Sequence, residues 1–203
     1  MKYNTIYQHY ESCLEKHGDT PKGHDWPNAE ELIKRYEVMH ALFKEEEKCS
    51  LLDLGCGTGL FLEYLNNNNI SNINYEGADI SDKFLSVSKN KFKNNKFYQI
   101  DIISEELPKN YDYIIANGIF TMKIGLQEDE MFDFFTTFIK NIWSKCNKGI
   151  AFNVMSKNVS WERDDLFHLG LDKLTKFLCD DITRNWVIRN NYGLYEYTVY
   201  IYK

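Results

Sequence analysis

Two rhythms of apolar residues alternate along the chain. Short apolar runs at Ser50-Leu51-Leu52-Asp53-Leu54, 73–80, 96–100, 111–116 and 149–155 have the length of strands buried on both faces. Between them, apolar residues recur three and four apart, as helices require. Leu60, Phe61, Tyr64 and Leu65 form one such set. Phe84, Leu85, Val87 and Phe92 form another, behind Ser81 as an N-cap. Met131, Phe134, Phe135, Phe138, Ile139 and Ile142 mark a long amphipathic helix over 128–144. A helix over 171–179 and strands over 183–189 and 194–200 complete the pattern, with Asn190-Asn191-Tyr192-Gly193 as a hairpin turn. Such alternation predicts an α/β fold of Rossmann-like type: a seven-stranded, mostly parallel sheet with helices on both faces and an antiparallel carboxy-terminal hairpin.

Residues 1–45 precede the first strand and read as an amino-terminal helical cap or lid, with 46–203 as the Rossmann-like domain. Helices are expected over 5–16 and 28–43, the second offering Leu32, Ile33, Tyr36, Val38 and Met39 for burial. The segment between them, 17–27, is rich in turn formers yet carries His24 and Trp26.

Composition narrows the classes. A hydrophobic fraction of 43% over 203 residues supports a full core and excludes disorder. The net charge of -6 argues against a sequence-independent grip on nucleic-acid phosphates, so no nucleic-acid partner is expected. Cys13, Cys49, Cys56, Cys146 and Cys179 are scattered, with no C-x-x-C pair, and read as reduced thiols with no metal site. The first residues lack an apolar signal region and no apolar stretch is as long as a membrane span, so a cytoplasmic protein is expected. Its oligomeric state is left open.

The chemistry concentrates at strand ends. Gly55, Gly57 and Gly59 follow the first strand, and glycines there let the backbone turn tightly against a ligand before a helix N-terminus. Asp79 closes the second strand about twenty residues on, where a carboxylate can accept ribose hydroxyls. Asp101 follows the third strand, where an acceptor can take an adenine amino group, and Asn117-Gly118 ends the fourth. Any one acidic residue could be a plain helix N-cap. Four strand ends agreeing marks the crevice where open α/β sheets bind ligands.

The run Leu51-Leu52-Asp53-Leu54-Gly55-Cys56-Gly57-Thr58-Gly59 resembles the first motif of class I S-adenosylmethionine-dependent methyltransferases. A hydride-transferring Rossmann enzyme more usually carries Gly-x-Gly-x-x-Gly, without the preceding Asp-Leu-Gly. The stretches 116–120, 149–153 and 192–197, with His17-Gly18 and Gly23-His24-Asp25-Trp26, resemble a bacterial subgroup associated with capsule and lipopolysaccharide biosynthesis. That resemblance implies S-adenosylmethionine as cofactor. It implies Gly55 and Gly57 against the methionine part, Asp79 on the ribose with Ile80 against adenine, and Asp101 on the adenine amino group with Ile102 beside it. Asn117 would offer a carbonyl near the sulfonium. Asp53 would orient the turn or the cofactor's amino group, and Cys56 would be a small filler within the motif.

The acceptor side is less defined. Trp26 and the insertion 157–168, with Trp161 and Arg163, are candidate walls. A neutral hydroxyl acceptor needs a base, for which His24 and His168 are candidates. An anionic acceptor would instead need cations, Arg163 or Arg184. The expected reaction is methyl transfer to an oxygen of a small acceptor: a sugar, nucleotide-sugar or phosphoramidate precursor of a surface glycan. The alternatives are methylation of a protein or nucleic acid, a non-catalytic S-adenosylmethionine-binding module, and a nicotinamide-dependent dehydrogenase.

Overall fold

The computed structural model describes residues 3–44, 46 and 48–203. Its elements are α1 (Asn4–His17), α2 (Ala29–His40), β1 (Cys49–Leu54), α3 (Leu60–Asn67), β2 (Ile73–Asp79), α4 (Asp82–Lys91), β3 (Lys96–Gln99) and β4 (Tyr111–Phe120). There follow α5 (Glu128–Trp143), β5 (Cys146–Ser156), β6 (His168–Leu169), α6 (Leu171–Phe177), β7 (Trp186–Arg189) and β8 (Glu196–Tyr202). Seven strands run in the order β3-β2-β1-β4-β5-β8-β7, with the two-residue β6 pairing beside β5. β3, β2, β1, β4 and β5 are mutually parallel, while β8 is antiparallel to β5 and to β7. This is the expected Rossmann-like sheet with its antiparallel closing hairpin. β6 is an addition that the sequence pattern did not reveal. Two residues are too short to show a period.

Alternation along the strands divides the core. Leu52 and Leu54 of β1, with Ile114 and Ala116 of β4, face α5 and α6 on one side of the sheet. Leu51, Tyr113 and Ile115 point the other way, into a core shared with α2 and α3 and with Leu85 of α4. Each face therefore buries its own set of apolar side chains, as a strand period of two demands. α5 buries Met131, Phe135, Phe138, Ile139 and Ile142, and Phe120 meets Phe135 and Phe138 edge to face at 5.0 Å. Its Phe134 stays only partly buried and looks toward the carboxy-terminal strand ends.

The two amino-terminal helices behave differently. α2 packs Leu32, Tyr36, Val38 and Met39 into the sheet's core, while Ile33, expected to be buried, is 48% exposed on its outer side. α1 lies across the carboxy-terminal ends of the strands, and its one fully buried residue is Ile6. The expected boundary at 45/46 falls beside Glu45, which lies outside the described residues. No described helix is long and apolar enough to cross a membrane.

Candidate functional site

A cleft of about 160 Å³ opens at the carboxy-terminal ends of β1, β2, β3 and β4, roofed by α1 and by the loop between α1 and α2. Its floor is the glycine turn. Gly55, Gly57 and Gly59 all have positive φ (75°, 55° and 82°), a conformation that a side chain at Cβ disfavours. Gly57 also needs the space: a Cβ there would stand 2.3 Å from Cε1 of His24.

The residues foreseen at the strand ends converge on this cleft. Gly55, Gly57, Asp79, Ile80, Asp101, Ile102 and Asn117 all line it. The Asp79 carboxylate accepts the Gly57 N–H at 2.9 Å through Oδ2 and the Ser81 N–H at 2.9 Å through Oδ1. It thus ties the glycine turn to the end of β2, and its burial pushes its pKa above the ordinary carboxylate value. Asp101 accepts the Ile103 N–H at 3.1 Å and the hydroxyl of Tyr3 at 2.7 Å. Each carboxylate oxygen keeps a further lone pair for another donor. Asn117 sits where β4 slips register against β5 between Ala116 and Phe120, and its Oδ1 is buried without a partner.

Asp53 and Cys56 stand apart from the lining. Asp53 lies on the opposite face of β1 from Leu54 and accepts the Tyr75 hydroxyl at 2.7 Å. Burial, opposed by that hydrogen bond and reinforced by the Asp79 charge, raises its pKa to about 7. Cys56 is buried beneath the turn against Gly77, whose Cβ would come 2.8 Å from its Sγ. Burial holds the thiol far above its ordinary range, which suits a filler rather than a nucleophile.

Of the residues foreseen on the acceptor side, the structure brings two to the cleft. Trp26 covers Gly118, where a Cβ would lie 2.7 Å from Trp26 Cζ2. His24 hydrogen-bonds Thr58 through Nε2 at 2.8 Å and packs 5.0 Å from Phe84. Burial lowers its pKa to about 4, so the ring is neutral near pH 7 and weakly basic. The other four lie elsewhere, Arg184 among them, exposed and absent from the lining. His168 is buried, its Nδ1 engaged by the Ser156 carbonyl at 2.7 Å, and it does not line the cleft. Trp161 packs on Tyr195 at 5.2 Å and on His168 at 5.8 Å. Arg163 is exposed and pairs with Asp165. The geometry gives neither a base role to His168 nor a wall role to Trp161.

Sequence reasoning missed several residues around the cleft. Tyr3, just before α1, and Ile6, Tyr7 and Tyr10 of α1 line its roof, and Phe134 and Phe138 of α5 line it as well. Their spacing of three and four was legible as one helical stripe. A polar circuit behind Trp26 was not. The Gly118 N–H donates to Asn153 Oδ1 at 2.7 Å, Asn153 Nδ2 donates to Glu196 Oε1 at 3.0 Å, and Arg35 Nε donates to Glu196 Oε2 at 2.9 Å. The Arg35 guanidinium then stacks 4.4 Å over the Trp26 ring, which returns the circuit to Gly118. Among the described lining residues none is a lysine or arginine.

Residues 52–136 match the family described as a methyltransferase domain. That segment spans the glycine turn and the strand ends that line the cleft, and the sheet is the Rossmann-like α/β fold of the solved methyltransferase structures below. A protein from Mycobacterium tuberculosis described as a methyltransferase is 25% identical over 156 residues, covering 76% of this chain and 93% of its own length. Among solved structures, magnesium protoporphyrin IX methyltransferase from Synechocystis with bound S-adenosylmethionine superposes with a TM-score of 0.65 at 15% identity, covering 99% of this chain and 93% of its own. The N-methyltransferase NodS from Bradyrhizobium japonicum, in complex with S-adenosylhomocysteine, gives a TM-score of 0.68 at 15% identity over 98% of both chains.

Proposed function

We propose that this chain transfers a methyl group to an oxygen of a small, neutral, ring-bearing acceptor, with a sugar of a bacterial surface glycan as the first class to test. The observation that carries the reading is the lining of the cleft. Beyond the strand-end carboxylates Asp79 and Asp101 and the neutral polar side chains of His24, Ser81 and Asn117, it is built from Tyr3, Ile6, Tyr7, Tyr10, Trp26 and other apolar or aromatic groups, without lysine or arginine among the described residues. Aromatic faces with hydroxyl rims suit a neutral ring carrying hydroxyls. A nucleotide-sugar or phosphoramidate acceptor would need a cation, and Arg163 is already paired with Asp165 outside the cleft. The glycan association itself rests on the resemblance of 116–120, 149–153 and 192–197.

In this reading Gly55 and Gly57 receive the methionine part of the cofactor, and Asp79 its ribose. Ile80 and Ile102 flank the adenine, and Asp101 meets its amino group beside Tyr3. The partnerless Asn117 Oδ1 offers an acceptor next to the glycine turn. When bound, the sulfonium supplies an electrophilic methyl group for in-line displacement. The chain's own contribution is alignment and exclusion of water by the α1 roof, Trp26 and the 17–27 loop, which act as a lid. His24 fixes the lid to the glycine turn through Thr58.

Asp79→Asn tests the site: the far-UV circular dichroism should be unchanged while calorimetric binding of S-adenosylhomocysteine is lost. Wild-type protein that fails to bind S-adenosylhomocysteine overturns the site assignment. A labelled-methyl screen of free sugars, nucleotide sugars and phosphoramidates tests the acceptor, and turnover confined to the anionic compounds overturns the neutral reading. Tight binding with transfer to none of these, nor to protein or nucleic acid, would point to a non-catalytic module.

A further inference from the structure

A second group of side chains sits on the outer side of the cleft's roof. His9 and Cys13 lie one turn apart on α1, and the loop before α2 brings Asp25 against them. His9 Nε2 is 2.8 Å from Asp25 Oδ2 and 3.8 Å from Cys13 Sγ, and one donor atom from each residue lies within 4.8 Å of the others. From these positions we infer a site for a divalent transition-metal cation, Zn2+ in the first instance, held by His9 Nε2, Cys13 Sγ and Asp25 Oδ2, with water as its fourth ligand.

Distances and donor chemistry both favour it. Zinc bonds of about 2.3 Å to sulfur and about 2.0 Å to nitrogen or oxygen give tetrahedron edges of about 3.6 Å for N···S and about 3.3 Å for N···O. The observed edges of 3.8 and 2.8 Å need shifts of about half an ångström or less to match. One imidazole, one thiol and one carboxylate form a mixed set that suits a borderline-soft cation and would not suit calcium or magnesium. His9 and Cys13 are only half-buried and Asp25 is exposed, so a cation and its water can reach the site. Burial raises the Cys13 thiol above its ordinary pKa, so it remains a thiol until a cation replaces its proton. On binding, the thiol proton leaves to solvent as the Sγ–metal bond forms. His9 ligates through Nε2 and keeps its remaining proton on Nδ1.

The location gives the site a consequence. Asp25 stands between His24 and Trp26, which both line the cleft, and His9 precedes the lining residue Tyr10. A cation held here cross-links the lid helix to the loop that covers the glycine turn. Asp25 meets this demand in a left-handed conformation, φ 57°, at the end of a short helical turn over Pro21–His24.

Cobalt titration of the full-length protein is the direct test, because a Co2+–thiolate bond produces an intense near-ultraviolet band. One equivalent of Co2+ should produce that band and Zn2+ should displace it. Cys13→Ser should abolish the band, and His9→Gln should weaken Zn2+ binding by about tenfold or more. Cys179→Ser, at the other half-buried thiol, should leave the band unchanged. Should Cys13→Ser fail to fold, Asp25→Asn at its exposed position reports instead, and there Zn2+ affinity should fall on calorimetry. No band at stoichiometric Co2+, a band that survives Cys13→Ser, or Zn2+ affinity unchanged in Asp25→Asn would each overturn the proposal. Binding is read without methyl transfer, so its failure is separate from any failure of the proposed function.

Discussion

His24 and Asp53 are both ionisable groups held out of water within a few residues of the glycine turn, and burial moves them in opposite directions. For His24 the folded pKa of about 4 lies below the ordinary 6.5. Its neutral form therefore contributes stability that is complete above 6.5 and is lost as the pH falls toward 4. A ring of this kind is a poor base near neutrality but a sound peg. Replacing His24 with Gln should leave the shape of the pH–rate profile between 5 and 8 unchanged while weakening S-adenosylhomocysteine several-fold. Turnover that collapses together with the acid limb would instead make His24 the base. Asp53 carries the reverse sign. Its folded carboxyl holds a proton to about 7, whereas the ordinary value is 3.8, so its contribution is greatest below 3.8 and is lost as the pH rises toward 7. Asp53→Asn keeps an acceptor for the Tyr75 hydroxyl and removes that titration. Urea unfolding should show the variant gaining on the wild type between pH 4 and 7, by at most about 4 kcal/mol. A constant difference across that range would refute the buried-carboxyl account.

Single elements meet at the polar circuit. Gly118 of β4, Asn153 of β5, Glu196 of β8 and Arg35 of α2 form one hydrogen-bonded chain, and Trp26 from the loop closes it. Arg35 and Glu196 are both buried, so breaking their pair leaves the guanidinium with only the exposed Glu31 carboxylate, 3.6 Å away, as its charge partner. Glu196→Gln should cost about 3–5 kcal/mol in urea unfolding. Adding Arg35→Met, which removes the remaining buried charge, should recover part of that loss. A denaturation midpoint unmoved by Glu196→Gln would mean that the circuit carries no stability. The irregular stretch of β4 at Asn117 adjoins this circuit and faces the cleft. None of this was readable beforehand. Arg35 looks like any charged residue on an amphipathic helix, and Glu196 like any charged residue in the closing strand. Their partnership spans 161 positions of sequence, and such a separation leaves no periodic signal.

Across the whole molecule, polar contacts tie the sheet to the roof of the cleft. Asp101 at the end of β3 reaches Tyr3 before α1, Ser81 at the start of α4 reaches Glu11 on α1, and Lys83 pairs with Glu11 and Glu15. A ligand filling the cleft touches both sides of these contacts and binds only the folded chain. S-Adenosylhomocysteine at a hundredfold above its Kd should therefore stabilise the fold by about 2.7 kcal/mol, a rise of about 5–10 °C in Tm. Amide exchange should slow in α1 as well as in the glycine turn. A Tm that does not respond to saturating ligand would contradict the placement of the cleft.

The sequence by itself determined the order of the main strands and helices, the parallel sheet with its closing hairpin, and the strand-end residues that line the cleft. These are local properties: a strand's period of two, a helix's of 3.6, and glycines where the backbone must turn with positive φ. Topology then makes strand ends coincide. Tertiary structure alone decided which way side chains face once strands have ends and loops have neighbours. The alternation of β1 turned Asp53 away from the cleft toward Tyr75. The insertion at 157–168 was drawn along the end of β4, where the Phe167 N–H meets the Thr121 carbonyl, and this took Trp161 and His168 out of reach. The roof instead came from the stripe of Tyr3, Tyr7 and Tyr10. Likewise, His9 and Cys13 are one helical turn apart in sequence, but only the folded loop brings Asp25 to them. A group assembled from segments that share no period is specified by packing, and packing exists only in three dimensions.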